Sequence, residues 1–228
     1  MKRGAGSRTF GHGTGRVFGS PVDGVKGLTV REPREVPAAA EELRYPAGAL
    51  VMVSGLPGAG KSTLLARLFP LVGDETRPVA VGDVRVIDSV QARNWWRRYL
   101  GGLPPRLLIP LGIVMHVWRI ARALFAGKSV VAHTRGTWAL MSYGLAWLAR
   151  RLGTELHQIM LDVDPHTARA GQFSRGRVLT ARTFARHCRR WRALVDRVGR
   201  TGELPPAASV VVLDRAAADL LKGIRFDE

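Results

Sequence analysis

The sequence predicts an α/β fold: a parallel sheet with helices on both faces. Three observations lead there. Five short apolar runs lie between residues 49 and 214, and longer stretches with helical spacing separate them. The runs do not alternate apolar with polar, which suits strands covered on both sides. A glycine-rich turn stands between the first run and the first helical stretch.

Residues 1–45 are rich in Gly, Arg and Pro and have no period, so they read as a flexible basic arm before a single domain over 46–228. "GHGTGRVFG" (11–19) has spaced glycines, but no strand pattern precedes it and no helix pattern follows, so a dinucleotide fingerprint is not supported. "PREVPAAAEELRYP" (33–46) suggests a short helix leading into the domain. The apolar runs follow: "ALVMVS" (49–54), "VRVID" (84–88), "SVVAH" (129–133), "LHQIMLDV" (156–163) and "SVVVLD" (209–214). From 138 to 152, Trp138, Met141, Leu145, Leu148 and Leu152 recur at steps of three and four and mark one face of a helix. "LLIPLGIVMHVW" (107–118) is the most membrane-like stretch. Pro110 interrupts it, His116 lies within it, and Arg119 and Arg122 follow, so it falls short of the roughly 20 apolar residues of a span and reads as a buried helix. Near the end, Phe184, Cys188, Trp191, Leu194, Val195 and Val198 form an apolar stripe, with Arg182, Arg186, Arg189, Arg190 and Arg197 opposite.

The chain carries 35 basic and 18 acidic side chains, a net charge of +17, and only five of the basic residues are lysine. Such an excess suits anionic partners: nucleotides, phosphate esters, nucleic acid or an acidic membrane face. Cys188 is the only cysteine, which excludes an intrachain disulfide and a multi-cysteine zinc site. No apolar core follows the basic first residues, so a signal peptide is not expected and a cytoplasmic protein is.

The turn reads Gly55-Leu56-Pro57-Gly58-Ala59-Gly60-Lys61-Ser62, with Thr63 next, and fits G-x-x-x-x-G-K-[ST]. Glycines let the backbone curl so that several N–H groups point at a phosphate, and the helix that begins near Lys61 adds its positive end. Lys61 then reaches the β and γ phosphates of a nucleotide, and Ser62 offers its hydroxyl to Mg²⁺. The expected architecture is thus the P-loop NTPase fold.

Absences narrow the chemistry. The only asparagine, Asn94, precedes tryptophans, so the Asn-Lys-x-Asp guanine reader is missing. There is no Ser-Gly-Gly signature of a transport ATPase, and no apolar strand ends in Asp-Glu as in mechanical ATPases. Two features favour phosphoryl transfer to a bound acceptor. Asp88 follows "VRVI", where strand ends line the ligand crevice, and can take the proton of an attacking hydroxyl. Asp88 also suits the N-cap of the helix "SVQARNWW", and the two roles are compatible. In "GQFSRGRVLTARTF" (171–184), Arg175 and Arg177 flank Gly176 and can close over a transferring phosphoryl group.

With these residues, the chain resembles the small P-loop kinases: gluconate kinase, chloramphenicol phosphotransferase, the zeta-type toxins and the polynucleotide 5′-kinase domain. The likeness covers roughly 49–222 and rests on "GLPGAGKST", "VIDSVQAR", "GKSVVAHTRGT", "LDVDPHTARA" and "RGRVLTARTFARHCRRW". It implies a five-stranded parallel sheet, a short arginine-bearing lid, ATP with Mg²⁺, and an acceptor between the second strand and the helices after it. By position it makes Asp88 the general base and places Arg175 and Arg177 in the lid; without an aspartate after the third strand, either Asp88 assists Ser62 at the metal or the chemistry is weakened. Arg93 becomes a candidate for an acceptor anion, with Arg106 and His116 in the same region. Many of these kinases carry an aspartate after the third strand, whereas this chain has His133-Thr134-Arg135. That departure leaves room for a nucleotide-binding regulatory ATPase with little kinase activity. Proteins of this kind are also described as AAA-family ATPases, but the further elements of a mechanical ATPase are missing. A polynucleotide-directed kinase is the third reading. The region 89–126 groups Trp95, Trp96, Arg97, Arg98 and Tyr99 ahead of Arg106, His116 and Arg119, which suits stacking beside an anion and equally suits a helix that packs its tryptophans. A small hydroxyl-bearing acceptor is expected.

Overall fold

The computed structural model describes residues 16–18, 42–100, 105–134, 139–174, 176 and 178–227. In chain order its elements are β1 (Arg16–Phe18), β2 (Glu42–Pro46), β3 (Leu50–Gly55), α1 (Lys61–Leu68), β4 (Val79–Val81), β5 (Val84–Ile87), α2 (Ser89–Tyr99) and α3 (Pro105–Phe125). There follow β6 (Ser129–His133), α4 (Ala139–Arg151), β7 (Leu156–Leu161), α5 (Pro165–Phe173), α6 (Ala181–Thr201), β8 (Ser209–Leu213), α7 (Arg215–Leu220) and β9 (Gly223–Asp227).

The five apolar runs are the five parallel strands, in the order β8-β7-β3-β6-β5. The sheet is larger than the five strands expected. β1 pairs antiparallel with β8 at one edge and β4 antiparallel with β5 at the other, giving seven among the described residues. A separate parallel pair joins β2 to β9. The helix expected within 33–46 gives way at its end to β2, where Leu43 and Tyr45 are buried and Arg44 between them is exposed, the two-residue period of a strand. β1 and most of β2 thus fall within the stretch read as an arm.

β3 runs through the centre, and all six of its residues are buried. Its side chains alternate between two cores. Val51 and Val53 face one core with Leu64 and Leu65 of α1, Phe184, Trp191 and Val198 of α6, and Ala218 of α7. Leu50 and Met52 face the other with Ile120 and Leu124 of α3 and Leu145 and Ala146 of α4. Each buried aliphatic or aromatic side chain contributes about 1.5–3 kcal/mol, so both helical layers are held to the sheet by apolar contact. The apolar stripe on α6 faces the sheet and its five opposing arginines are exposed. Trp191 also donates its indole N–H to Asp162 Oδ1 at 2.9 Å, which ties α6 to the end of β7.

The expectation for 107–118 needs correction. α3 is buried along one side only, and its other side exposes Val114, Trp118 and Phe125. A helix apolar all round carries no pattern that says which side is out. Among the described residues, no helix is long and apolar enough to cross a membrane.

Candidate active site

The glycine-rich turn joins the carboxyl end of β3 to α1, so its backbone lies over the middle of the sheet edge. Gly60 caps α1 in the left-handed region at φ 93°. Gly58 has φ 91°, and a Cβ there would stand 2.0 Å from the carbonyl oxygen of Ala168. Gly171 is the reciprocal contact, since its own Cβ would stand 2.4 Å from the Gly58 oxygen. α5 therefore lies directly against the turn. Gln172, 3% exposed, locks the contact: its Nε2 donates to Pro57 O at 2.9 Å and its Oε1 accepts from Leu179 N at 3.0 Å. Sequence reading took Gly171 and Gln172 only as the start of an arginine loop; a glycine at the end of a short helix facing a glycine-rich turn was the available signal.

Lys61 is buried, and its Nζ donates to Gly55 O and Leu56 O, both at 2.8 Å. The ammonium is folded back over the mouth of the turn. Ser62 is half-buried and Thr63 exposed on the first turn of α1.

Asp88 is the N-cap of α2 and sits in a full capping box with Gln91. Its Oδ1 accepts from Val90 N at 2.8 Å, from His133 Nδ1 at 3.1 Å and from Ser89 Oγ at 3.4 Å. Ser62, on the turn, lies close enough to this carboxylate to favour its charged form. Burial by itself would raise the Asp88 pKa. The hydrogen bond and charge of His133, with the Val90 amide and the Ser62 hydroxyl, outweigh burial and hold the carboxyl well below the usual carboxylate range. Asp88 is thus an ionised acceptor whose Oδ1 is held by three donors. His133 ends β6, the strand beside β5.

Behind this pair, α2 and α3 pack together. His116 is 6% exposed, and neither ring nitrogen has a hydrogen-bond partner among the described residues that meets normal geometry. Arg119, also buried, donates one Nη to Thr76 O at 2.6 Å, and its other Nη lacks a partner among the described residues. Arg93 is half-buried on α2. The structure thus brings His116, Arg119 and Asp88 into one neighbourhood. The side chain of Arg106 and the whole of Arg175 and Arg177 lie outside the described residues.

Burial, reinforced by the charge of His133 and opposed by that of Asp88, pushes His116 down to about 4. The sign follows. Between the unfolded value of 6.5 and about 4 the unfolded chain binds the proton and the folded chain does not, so stability falls as pH falls through that window. Denaturant unfolding between pH 7 and 4 should lose about 3 kcal/mol to this group, and His116→Gln should flatten the slope. His157, lowered mainly by burial, adds a remainder of the same sign.

One further basic group was missed. Arg215 follows the end of β8, and its Nη1 lies 3.6 Å from where a Cβ on Gly60 would stand. Its Nε is held by Asp219 Oδ2 at 3.0 Å. The signal was its position just beyond a strand that ends on the ligand side of the sheet.

No protein-family model matches the chain, and no curated protein is similar to it in sequence. Solved structures are similar in fold. A proposed kinase from Chloroflexus aurantiacus matches with a TM-score of 0.50 at 16% identity, over 74% of this chain and 88% of its own. A gluconokinase from Sinorhizobium meliloti gives 0.45 at 16% identity, over 78% and 90%. The PezAT toxin–antitoxin structure from Streptococcus pneumoniae gives 0.44 at 14% identity, over 59% of this chain and 55% of that one, so the chain spans little more than half that protein's length. In fold, this chain is similar to the proposed kinase from Chloroflexus aurantiacus.

Proposed function

We propose that the protein is an ATP-dependent kinase that moves the γ-phosphoryl group of ATP onto a hydroxyl of a small acceptor. One observation carries this reading: the glycine-rich turn that follows β3 and the Asp88 carboxylate that follows β5 lie at the same, carboxyl end of the parallel strands. A triphosphate cradle and an acceptor-side carboxylate then share one edge of the sheet. Ser62 and Asp88 offer hard oxygen donors at the same end of the sheet, which fits Mg²⁺, an ion that takes few protein ligands and keeps phosphate and water oxygens. When bound, Mg²⁺ supplies neutralisation of charge on the phosphates.

The amides of Gly55, Leu56, Pro57's neighbour Gly58, Ala59, Gly60, Lys61, Ser62 and Thr63 wrap the triphosphate; Pro57 itself, lacking an N–H, shapes the turn. Lys61 exchanges the carbonyls of Gly55 and Leu56 for the β and γ phosphates. Asp88 orients the acceptor hydroxyl and takes its proton as the new O–P bond forms and the bond to the ADP oxygen breaks. Arg175 and Arg177 spread the charge of the moving group. Arg93, Arg106 and His116 bind the acceptor, joined by the unsatisfied Nη of Arg119, a group that asks for an anionic or carbonyl oxygen.

The test is mass spectrometry of cell extract incubated with ATP·Mg and the purified protein. An acceptor gaining the mass of one phosphate, with ADP formed in step, is expected. Bound ATP with no phosphorylated species would instead favour the regulatory nucleotide-binding reading, for which the absence of a carboxylate in His133-Thr134-Arg135 is the motivating observation.

A further inference from the structure

α3 and α4 lie on one face of the sheet and send Ile120, Leu124, Leu145 and Ala146 into one core. The sides turned away from that core are not polar, as they are on ordinary surface helices. They carry Val114 at 66%, Trp118 at 55% and Phe125 at 68% exposure on α3, and Leu140 at 88%, Tyr143 at 49% and Trp147 at 56% on α4. Neighbouring helices thus each present an outward apolar stripe, six large apolar side chains in all.

The charge on this surface has one sign. Neither α3 nor α4 contains an aspartate or a glutamate. One turn after each tryptophan an arginine folds back over its ring: Arg122 lies 5.5 Å from the Trp118 centroid and Arg151 lies 5.4 Å from that of Trp147. The same unit, an exposed indole capped by a guanidinium, therefore occurs on both helices.

We propose that this face docks on an anionic lipid bilayer. Half-exposed tryptophans rest at the level of lipid headgroups, with aliphatic neighbours entering the acyl boundary. The arginines above them meet lipid phosphates in bidentate contact, and the net charge of +17 draws the chain to such a surface. A second copy of the chain would bring the same arginines together with no carboxylate to receive them. A nucleic acid would satisfy the arginines but leave Val114 and Leu140 bare. Neither helix spans the membrane, so the association is peripheral. The inference does not depend on the kinase reading.

The experiment is co-sedimentation of the full chain with vesicles of phosphatidylcholine alone or of equimolar phosphatidylcholine and phosphatidylglycerol. The protein should partition about tenfold or more in favour of the anionic vesicles. Trp118→Ser with Trp147→Ser, and separately Arg122→Glu with Arg151→Glu, should each remove that preference while leaving thermal unfolding unchanged, because all four side chains are exposed. Failure of the wild type to bind, or binding by both variants at the wild-type level, would overturn the proposal. So would a wild-type dimer in solution that the tryptophan variant dissociates, or RNA binding lost in the same variants without vesicle binding.

Discussion

Asp88→Asn is expected to lower acceptor-dependent phosphoryl transfer by about 10²–10⁴-fold, the range of a lost acid–base group. The substitution is informative because the fold tolerates it. Asparagine caps helices as well as aspartate does, so the bond from Val90 N and the start of α2 persist. What disappears is the negative charge that His133 and Ser62 face and that the acceptor proton needs. The readout is ADP formation at saturating ATP with the extract acceptor, beside an unfolding curve. Unchanged turnover in a folded Asp88→Asn protein would remove Asp88 from the chemistry and leave it as a helix cap.

Gly58→Ala is the second large effect. The added Cβ would meet the Ala168 carbonyl oxygen at 2.0 Å and Gln172 Cγ at 3.0 Å. The first of these is backbone, held in α5 by helix hydrogen bonds, and cannot step aside. The residue must also remain at φ 91°, which costs an L-amino acid on the order of 1–3 kcal/mol. Turn and helix have to separate, breaking the Gln172 bond to Pro57 and opening the cradle. A loss of about 2–4 kcal/mol, or a fall of roughly 5–15 °C in Tm, is expected together with loss of ATP binding. Gly73→Ala is the control. Gly73 has φ 101° and nothing within 4 Å of its Cβ position, so it isolates the backbone cost from the collision. Equal effects at the two positions would show that the contact between the turn and α5 is not what shapes the cradle.

Legibility from sequence followed burial. The five parallel strands are covered on both faces, so each leaves a continuous apolar run that periodicity finds. The edge strands leave less. β4 is three residues long, exposes Ala80 and Val81, and pairs on one side only among the described residues. β2 and β9 do alternate, with Leu43, Tyr45 and Ile224 buried, but β2 follows "PAAAEE", whose helical preference masked the two-residue period. In α3 the core-facing and outward-facing residues are alike in polarity, so only the folded chain separates Ile120 from Trp118.

The candidate site divides in a similar way. A backbone that must bend through left-handed conformations next to a helix start leaves a local pattern, and Gly58, Gly60 and Lys61 stand out from it. Partners brought in from distant parts of the chain leave none. The His133 contact to Asp88 spans 45 residues and the Gln172 contact to Pro57 spans 115, so neither shows in local spacing. Arg119 stood in the aromatic and basic stretch, but its burial, with one Nη that has no partner among the described residues, shows only in the folded chain.

The claim beneath all of this is that the turn from Gly55 to Ser62 grips the phosphate tail of a nucleotide. Isothermal titration calorimetry of ATP·Mg into the wild type and into Lys61→Ala tests it most directly. A saturable single-site heat in the wild type is expected, weakened about ten- to a hundredfold in Lys61→Ala, the worth of one charged hydrogen-bonding contact. No heat in the wild type, or an identical isotherm in the two proteins, would contradict the account.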